Sequence, residues 1–221
     1  MTNFKLGIEY AKDQDLHDPL AHYRKKFHIP KNSEGDEWLY FTGNSLGLQP
    51  KETKNHIKQE LDDWANLGVE GHFEAKNPWM PYHEFLTETM AQIVGAKPIE
   101  VVIMNTLTTN LHLLMVSFYQ PTKLKHKILI ESDAFPSDRY AVETQLKFHG
   151  FDPSDSLIEW SPRKGETLLN IEDLESILES QGEEIALLLI GGVNYYTGQN
   201  LDLKKIRQHG RRKGCKVGID L

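Results

Sequence analysis

The sequence predicts an α/β fold with three layers, in which helices cover both faces of a mainly parallel sheet. Two observations predict it. From residue 100 onward, short apolar runs alternate with segments of helical periodicity, which is typical of repeated β-α-β units. These apolar runs are nearly continuous, most clearly at residues 185–190, as expected of strands that are buried on both faces of a sheet.

Before residue 100 the pattern is less regular. Residues 4–27 have a helical pattern of mixed charge, and residues 38–41 form an apolar run that predicts a short strand. Pro50 is well placed to open a helix over about 51–66, and a further helix is predicted over about 82–95. Three apolar residues of the 51–66 helix are spaced to form one buried face: Ile57, Leu61 and Trp64.

The alternating part of the sequence contains five predicted strands and four predicted helices. The strands are residues 100–104, 127–130, 156–160, 185–190 and 216–221. The helices are residues 109–119, 137–148, 171–180 and 203–213. We predict a division after residue 65, with residues 1–65 as an N-terminal segment that contributes to a small domain or to a dimer contact. Residues 66–221 then form part of a larger domain.

Composition narrows the class of protein. The 221 residues carry a net charge of −7, from 25 Lys and Arg against 32 Asp and Glu, which argues against a nucleic-acid partner. The N-terminus lacks a signal sequence, and no apolar run is long enough to span a bilayer. The single cysteine, Cys215, is expected to be a small buried side chain. We therefore expect a soluble cytoplasmic protein with no metal site.

Polar motifs follow the predicted strands, so they should meet at one edge of the sheet. Residues 105–110 precede a helix, whose N-terminal N–H groups attract phosphate, although Thr or Asn in this motif could simply cap that helix. In the motif at 133–138, Phe135 could stack on a flat ring while Ser137 and Asp138 form hydrogen bonds. The simpler alternative is that Ser137 or Asp138 caps the next helix and Phe135 packs in the core.

Two further motifs follow the last two strands. Residues 191–198 contain three glycines that allow a close approach of the backbone, or simply a tight turn. Asp220 lies at the tip of the last apolar run, where a carboxylate is costly unless it is paired. A protonated ring nitrogen would pair with it and would make that ring an electron sink. A helix N-cap or a salt bridge is the alternative.

Four segments resemble, in the same order, motifs of the kynureninase family: residues 40–50, 104–115, 134–138 and 196–199. The likeness runs from about residue 20 to the end of the chain and covers the N-terminal half of that family. It implies the large domain of the aspartate-aminotransferase-like fold, incomplete at its C-terminus, a pyridoxal 5′-phosphate cofactor and a homodimer. It also implies hydrolysis of L-kynurenine to anthranilate and L-alanine, and of 3-hydroxykynurenine to 3-hydroxyanthranilate, in tryptophan catabolism and NAD synthesis.

The resemblance also implies roles for single residues. Leu107 and Thr108 match the positions that bind the cofactor phosphate, and Phe135 matches the residue that stacks on the pyridine ring. Asp220 matches the partner of the pyridine nitrogen. The remaining cofactor positions are Pro136, Ser137 and Asp138.

Other positions of the resemblance concern the substrate and the reaction. Ser45 and His72 match residues near the substrate, and Gly191 stands where the family can have a serine that contacts the cofactor. No lysine of the sequence matches the family's Schiff-base lysine, so we expect the chain alone to be inactive. Two alternatives remain open: another enzyme of the same fold type, such as a cysteine desulfurase or an aminotransferase, or a truncated fragment without catalytic function.

Overall fold

A computed structural model describes residues 4–221, which group into two units of mutually contacting residues. The first unit extends to Ile103 and the second is Met104–Leu221. These units are defined by contacts within the chain and do not test where one domain ends and the next begins. The predicted division after residue 65 therefore stays a prediction. No helix among residues 4–221 is long and apolar enough to cross a membrane.

Short helices dominate the first unit. Its α-helices are α1 (Ile8–His17), α2 (Thr53–Leu67), α3 (Gly71–Glu74) and α4 (Thr87–Val94). Its 3₁₀ turns are Ala21–Lys26, Gly68–Glu70, Tyr82–Glu84 and Pro98–Glu100. The helix predicted over 51–66 is confirmed, and the one predicted over 82–95 is divided into a 3₁₀ turn and α4.

The strands predicted at 38–41 and 100–104 are wrong. Near the first there is an isolated bridge between Lys31 and Glu37, and residues 38–41 lie outside any strand. In the second, the backbone of Val101 is extended (φ −121°, ψ 132°), but no described residue pairs with it. An apolar run becomes a strand only where a neighbour satisfies its backbone N–H and C=O groups.

The buried face predicted for α2 is also wrong. Ile57 and Leu61 are each 56% exposed and Trp64 is 66% exposed. The opposite face of this helix forms hydrogen bonds with a later segment: Glu60 accepts from Trp79 Nε1 (3.0 Å) and from Asn77 Nδ2 (2.9 Å). Helical periodicity therefore predicts which residues share one face of α2, but it does not predict whether another element covers that face.

The second unit contains the sheet. Its helices are α5 (Leu107–Phe118), α6 (Pro136–Phe148), α7 (Pro153–Ser156), α8 (Ile171–Gln181) and α9 (Leu203–Arg212). Its strands are β1 (Lys127–Glu131), β2 (Leu157–Trp160), β3 (Ile185–Gly191) and β4 (Lys216–Asp220). All strands are parallel, in the order β2-β1-β3-β4, so the predicted α/β fold is confirmed.

Helices bury both faces of this sheet because alternate residues of each strand point to opposite sides. Leu129 and Leu188 pack in a cluster with residues of α8 and α9, and this cluster includes the buried Cys215, as predicted. Ile128 and Ile130 pack in a second cluster with residues of α5 and α6. The carboxyl ends of the strands meet at one edge, where Gly191 of β3 lies opposite Asp220 of β4.

Candidate functional site

Helix α5 begins at this edge with its first N–H groups unpaired. Thr106 occupies the N-cap position in an extended conformation (φ −93°, ψ 162°), but its side chain forms no cap hydrogen bond. Its hydroxyl lies 3.2 Å from that of Thr109 instead. The backbone N–H groups of Leu107 and Thr108 donate to no described residue. The capping alternative is therefore wrong for Thr106, and the end of the helix can accept an anion.

A side-chain hydrogen bond stabilises the loop that leads into α5. Asn105 adopts a left-handed conformation (φ 44°), which asparagine tolerates better than most residues. The side-chain Nδ2 of Asn110 donates to the carbonyl of Met104 at 2.8 Å. This hydrogen bond spans the turn and fixes the direction from which the chain enters the helix.

Helix α6 begins next to an exposed aromatic ring. Phe135 is the N-cap residue, makes no cap hydrogen bond and is 51% exposed, so its assignment to the core is wrong. Its ring meets the edge of the Tyr195 ring, with centroids 5.2 Å apart and planes at 75°. Pro136 is the first residue of α6, and the Ser137 hydroxyl lies 3.3 Å from Asp138 Oδ1. Ser137 and Asp138 lie inside the first turn rather than at the cap.

Three carboxylates come together at the carboxyl edge of the sheet, from the ends of β1 and β4 and from the first turn of α6. Glu131 and Asp138 are buried, at 5% and 7% exposure, and Asp220 is partly buried. Both carboxylate oxygens of Glu131 accept the N–H of Gly191, each at 3.1 Å. Asp220 forms no ion pair with any residue from 4 to 221, so the salt-bridge alternative finds no partner there.

Burial shifts the titration of two of these groups. Burial, followed by the charge of Asp220 and a hydrogen bond with it, raises the pKa of Asp138 to about 6. Burial also raises the pKa of Glu131, while the hydrogen bond from Gly191 opposes the rise. The site therefore favours a proton or another positive charge close to Asp138 and Asp220.

The raised pKa of Asp138 predicts how stability depends on pH. Its pKa is about 6 in the folded chain against an ordinary value of 3.8, so the stability it contributes is present below pH 3.8 and is lost as pH rises through 6. Between pH 4 and pH 7, wild type should lose about 1–3 kcal/mol relative to Asp138→Asn. Urea unfolding at four pH values measures this difference, and parallel curves for the two proteins would contradict the assignment.

A cavity of about 400 Å³ lies between α5 and the sheet, along the whole of β4 and the middle of β3. Leu107, Asp138 and Asp220 all line it, so the structure brings the predicted phosphate and ring-nitrogen positions into one space. The rest of its wall is mainly apolar and includes Leu111, Leu114, Leu187 and Leu189. Four predicted site residues do not line this cavity and lie beside it in the first turns of α5 and α6: Thr108, Phe135, Pro136 and Ser137.

The two predicted substrate residues lie in the first unit. Ser45 is exposed in a turn where its N–H donates to the carbonyl of Thr42 at 3.0 Å. His72 is in α3, with Nδ1 2.8 Å from the carbonyl oxygen of Val69 and its ring edge-on to Trp79 at 5.5 Å. Their roles near a substrate stay predictions.

The loop after β3 has more internal structure than a tight turn. Asn194 is buried, and its Oδ1 accepts hydrogen bonds from Tyr196 N (3.1 Å), Thr197 N (2.9 Å) and Thr197 Oγ1 (3.1 Å). These bonds fix the loop that carries Tyr195 to Phe135. Sequence reasoning gave Asn194 no role, although asparagine in a loop typically forms such side-chain-to-backbone turns.

Glu131 was also missed. The signal was present, because a charged residue ends an otherwise apolar strand at the same edge that gave Asp220. Within residues 4–221, no group of three or more His, Cys, Asp or Glu side chains is arranged to hold a metal ion.

Known proteins share both the sequence and the fold. The chain is 54% identical over 217 residues to a kynureninase from Koribacter versatilis, which covers 98% of this chain and 51% of the relative. It is 45% identical over 218 residues to a kynureninase from Mus musculus, which covers 94% of this chain and 47% of the relative. The chain thus spans about half the length of the curated relatives it matches. No protein-family profile matches it.

Solved structures show the same architecture at low sequence identity. A cysteine desulfurase from Escherichia coli matches with a TM-score of 0.68 at 15% identity, covering 91% of this chain and 48% of that one. A cysteine desulfurase from Thermococcus onnurineus matches with a TM-score of 0.60, also at 15% identity, covering 100% of this chain and 48% of that one. At this identity the likeness concerns the fold alone.

The parallel sheet, with helices on both faces and polar groups at its carboxyl edge, is that of the fold-type I enzymes, of which the chain forms part of a domain. Within that class the sequence comparison is specific. The chain resembles the N-terminal half of kynureninase.

Proposed function

We propose that this chain carries the cofactor half of a kynureninase site, which binds pyridoxal 5′-phosphate at the carboxyl edge of the sheet. The observation that carries this proposal is the shared cavity of Leu107, Asp138 and Asp220. It is supported by the 45–54% identity to kynureninases over nearly the whole chain.

The described residues fit this cofactor. The unpaired N–H groups of Leu107 and Thr108 suit a phosphate, because a helix N-terminus favours negative charge. The carboxylates of Asp138 and Asp220 suit a protonated ring nitrogen. They are poorly solvated and repel each other, so a positive charge between them is stabilised. Phe135 presents an exposed ring beside them, and an aromatic face suits a flat heterocycle.

Each residue then has a separate task. Leu107 and Thr108 bind the phosphate, and Phe135 orients the ring by stacking. Asp220 holds a proton on the ring nitrogen, with Asp138 beside it in the first turn of α6 together with Pro136 and Ser137. Pyridoxal phosphate supplies an electron sink for charge that develops next to the substrate amino group. Ser45 and His72 contact the substrate in this proposal.

For the whole protein we propose hydrolytic Cβ–Cγ cleavage of L-kynurenine or 3-hydroxykynurenine, giving L-alanine and anthranilate or its 3-hydroxy form. We further propose a cytoplasmic homodimer. The proposed domains are an N-terminal segment over residues 1–65 and part of the cofactor-binding domain over 66–221.

Binding of pyridoxamine 5′-phosphate tests the cofactor proposal without requiring a lysine. This probe carries the phosphate and the ring nitrogen but has no aldehyde, so titration calorimetry on residues 1–221 reports the non-covalent site alone. We expect saturable binding that inorganic phosphate weakens by competition. Absence of binding at millimolar probe would contradict the proposal.

Activity of the same chain is a separate test. With added pyridoxal 5′-phosphate, we expect no release of fluorescent anthranilate from L-kynurenine, because no lysine in the sequence matches the Schiff-base residue. Turnover at a rate typical of enzymes would contradict that expectation. Formation of L-alanine from L-cysteine, with sulfide released when dithiothreitol is added as the reductant, would favour the cysteine desulfurase alternative.

A further inference from the structure

Glu131 is a buried acid at the proposed cofactor site to which the resemblance gives no role. It ends β1, the strand between β2 and β3, and is 5% exposed. An acidic side chain is rarely this buried unless a partner compensates for the lost water. Its partner on the neighbouring strand β3 is a backbone group, the N–H of Gly191.

The contact with Gly191 favours the ionised form of Glu131. Both oxygens of Glu131 accept the same N–H at 3.1 Å, and a donor that faces a carboxylate stabilises its charge and opposes the effect of burial on its pKa. The approach is close: a Cβ built on Gly191 would lie 2.8 Å from Glu131 Oε1. Because glycine has no side chain, the Glu131 carboxylate can contact the backbone of Gly191 at the end of β3.

Through its hydrogen bond with Gly191, Glu131 is connected to the part of the sheet that contains Asp220. Gly191 lies opposite Asp220 in the β3–β4 register, and the next residue, Gly192, donates its N–H to the carbonyl of Asp220 at 2.7 Å. The charge of Asp220 also acts on Glu131, and the charges of both act on Asp138. Three acidic groups thus converge from β1, β4 and α6, and Asp138 and Asp220 reach the cavity wall.

We propose that Glu131 is a positioning residue of the cofactor site, whose charge, held beside Asp220 by the Gly191 amide, favours a ligand with a protonated ring nitrogen. Glu131 acts through Asp220 and does not line the cavity itself. A second negative charge near Asp220 raises the proton affinity of a ring nitrogen that pairs with Asp220, and the effect is larger where water is excluded, because the local dielectric is low. This inference rests on the proposed function.

Ring-labelled ¹⁵N pyridoxamine 5′-phosphate tests the proposal, because the nitrogen chemical shift in the bound probe reports its protonation directly. In Glu131→Gln the amide oxygen still accepts from Gly191 but the charge is gone. We expect binding about three- to tenfold weaker at pH 7.5, and a proton affinity of the bound ring nitrogen lower by a similar factor. Glu131→Asp keeps the charge, so its nitrogen should titrate close to wild type.

The matched control is Glu159→Gln, on the neighbouring strand β2. It removes the same charge from a side chain that is 38% exposed and paired with Arg139, so the bound ring should titrate as in wild type. If Glu131→Gln fails to fold, Glu131→Ala, which also lacks the charge, is compared with Glu131→Asp instead.

The outcomes separate this inference from the proposed function. An unchanged nitrogen titration in Glu131→Gln, or an equal change in Glu131→Asp, would overturn the role of the charge while the cofactor site stands. Wild type that does not bind the probe would overturn the proposed function, and the inference with it.

Discussion

Replacement of Asp220 with asparagine should weaken the binding of pyridoxamine 5′-phosphate about 10- to 100-fold at pH 7.5, since a hydrogen bond to a charged group contributes about 1.5–3 kcal/mol. Asp220 lines the cavity beside Asp138 and forms no ion pair with any described residue that would compensate for a lost ligand. Asparagine keeps the shape of the side chain but can no longer pair with a positive charge. Titration calorimetry of the two proteins measures the loss.

Two controls make this result specific. Asp155→Asn changes an exposed carboxyl on α7 by the same chemistry and should leave binding unchanged. A probe in which the ring nitrogen is replaced by CH should bind Asp220→Asn and wild type about equally. Equal loss of both probes in Asp220→Asn would show that the substitution damages the site in general.

Trp160→Ala should lower the free energy of unfolding by about 3–5 kcal/mol, the largest change in stability that we expect from a single residue. Trp160 ends β2, is 1% exposed, and packs in the cluster formed with residues of α8 and α9. Its Nε1 also donates to the carbonyl of Asn170 at 3.1 Å, so truncation leaves a cavity and removes this hydrogen bond, although the carbonyl still accepts the N–H of Asp173. Urea unfolding followed by far-UV circular dichroism measures the loss.

Phe148→Ala provides the comparison for an aromatic side chain of the same unit. Phe148 ends α6 and is 80% exposed, so its truncation should change stability by no more than about 0.5 kcal/mol. Similar losses in Trp160→Ala and Phe148→Ala would contradict the burial that distinguishes them.

The fold of the second unit was predictable because its signals are local. The apolar run at 185–190 is typical of a strand that is buried on both faces of a sheet. Asp220, at the end of another apolar run, indicates that the carboxyl edge of the sheet carries the site. The runs at 38–41 and 100–104 have the same local appearance, yet neither forms a strand. A strand depends on a partner that is often distant in sequence, and no local window of residues contains that information.

The site was predictable to the same extent. Asp220 was found because it ends an apolar run and Asp138 because it lies in the polar motif at 133–138, and the structure gives them a common cavity. Glu131 also ends an apolar run, but its contact with Gly191 joins residues 60 positions apart, which no local pattern predicts. Exposure of the Phe135 ring likewise depends on how α6 meets the sheet.

Gln199 links two parts of the second unit into one cooperative piece. Its side-chain amide donates to the carbonyl of Leu169 at 2.7 Å and accepts the N–H of Leu169 at 2.8 Å, so it forms the pair of bonds that a neighbouring strand would form. The loop after β3 therefore cannot open by itself: local unfolding there must also release the segment before α8. As a consequence, the loop that brings Tyr195 to Phe135 should fluctuate together with the core of the second unit.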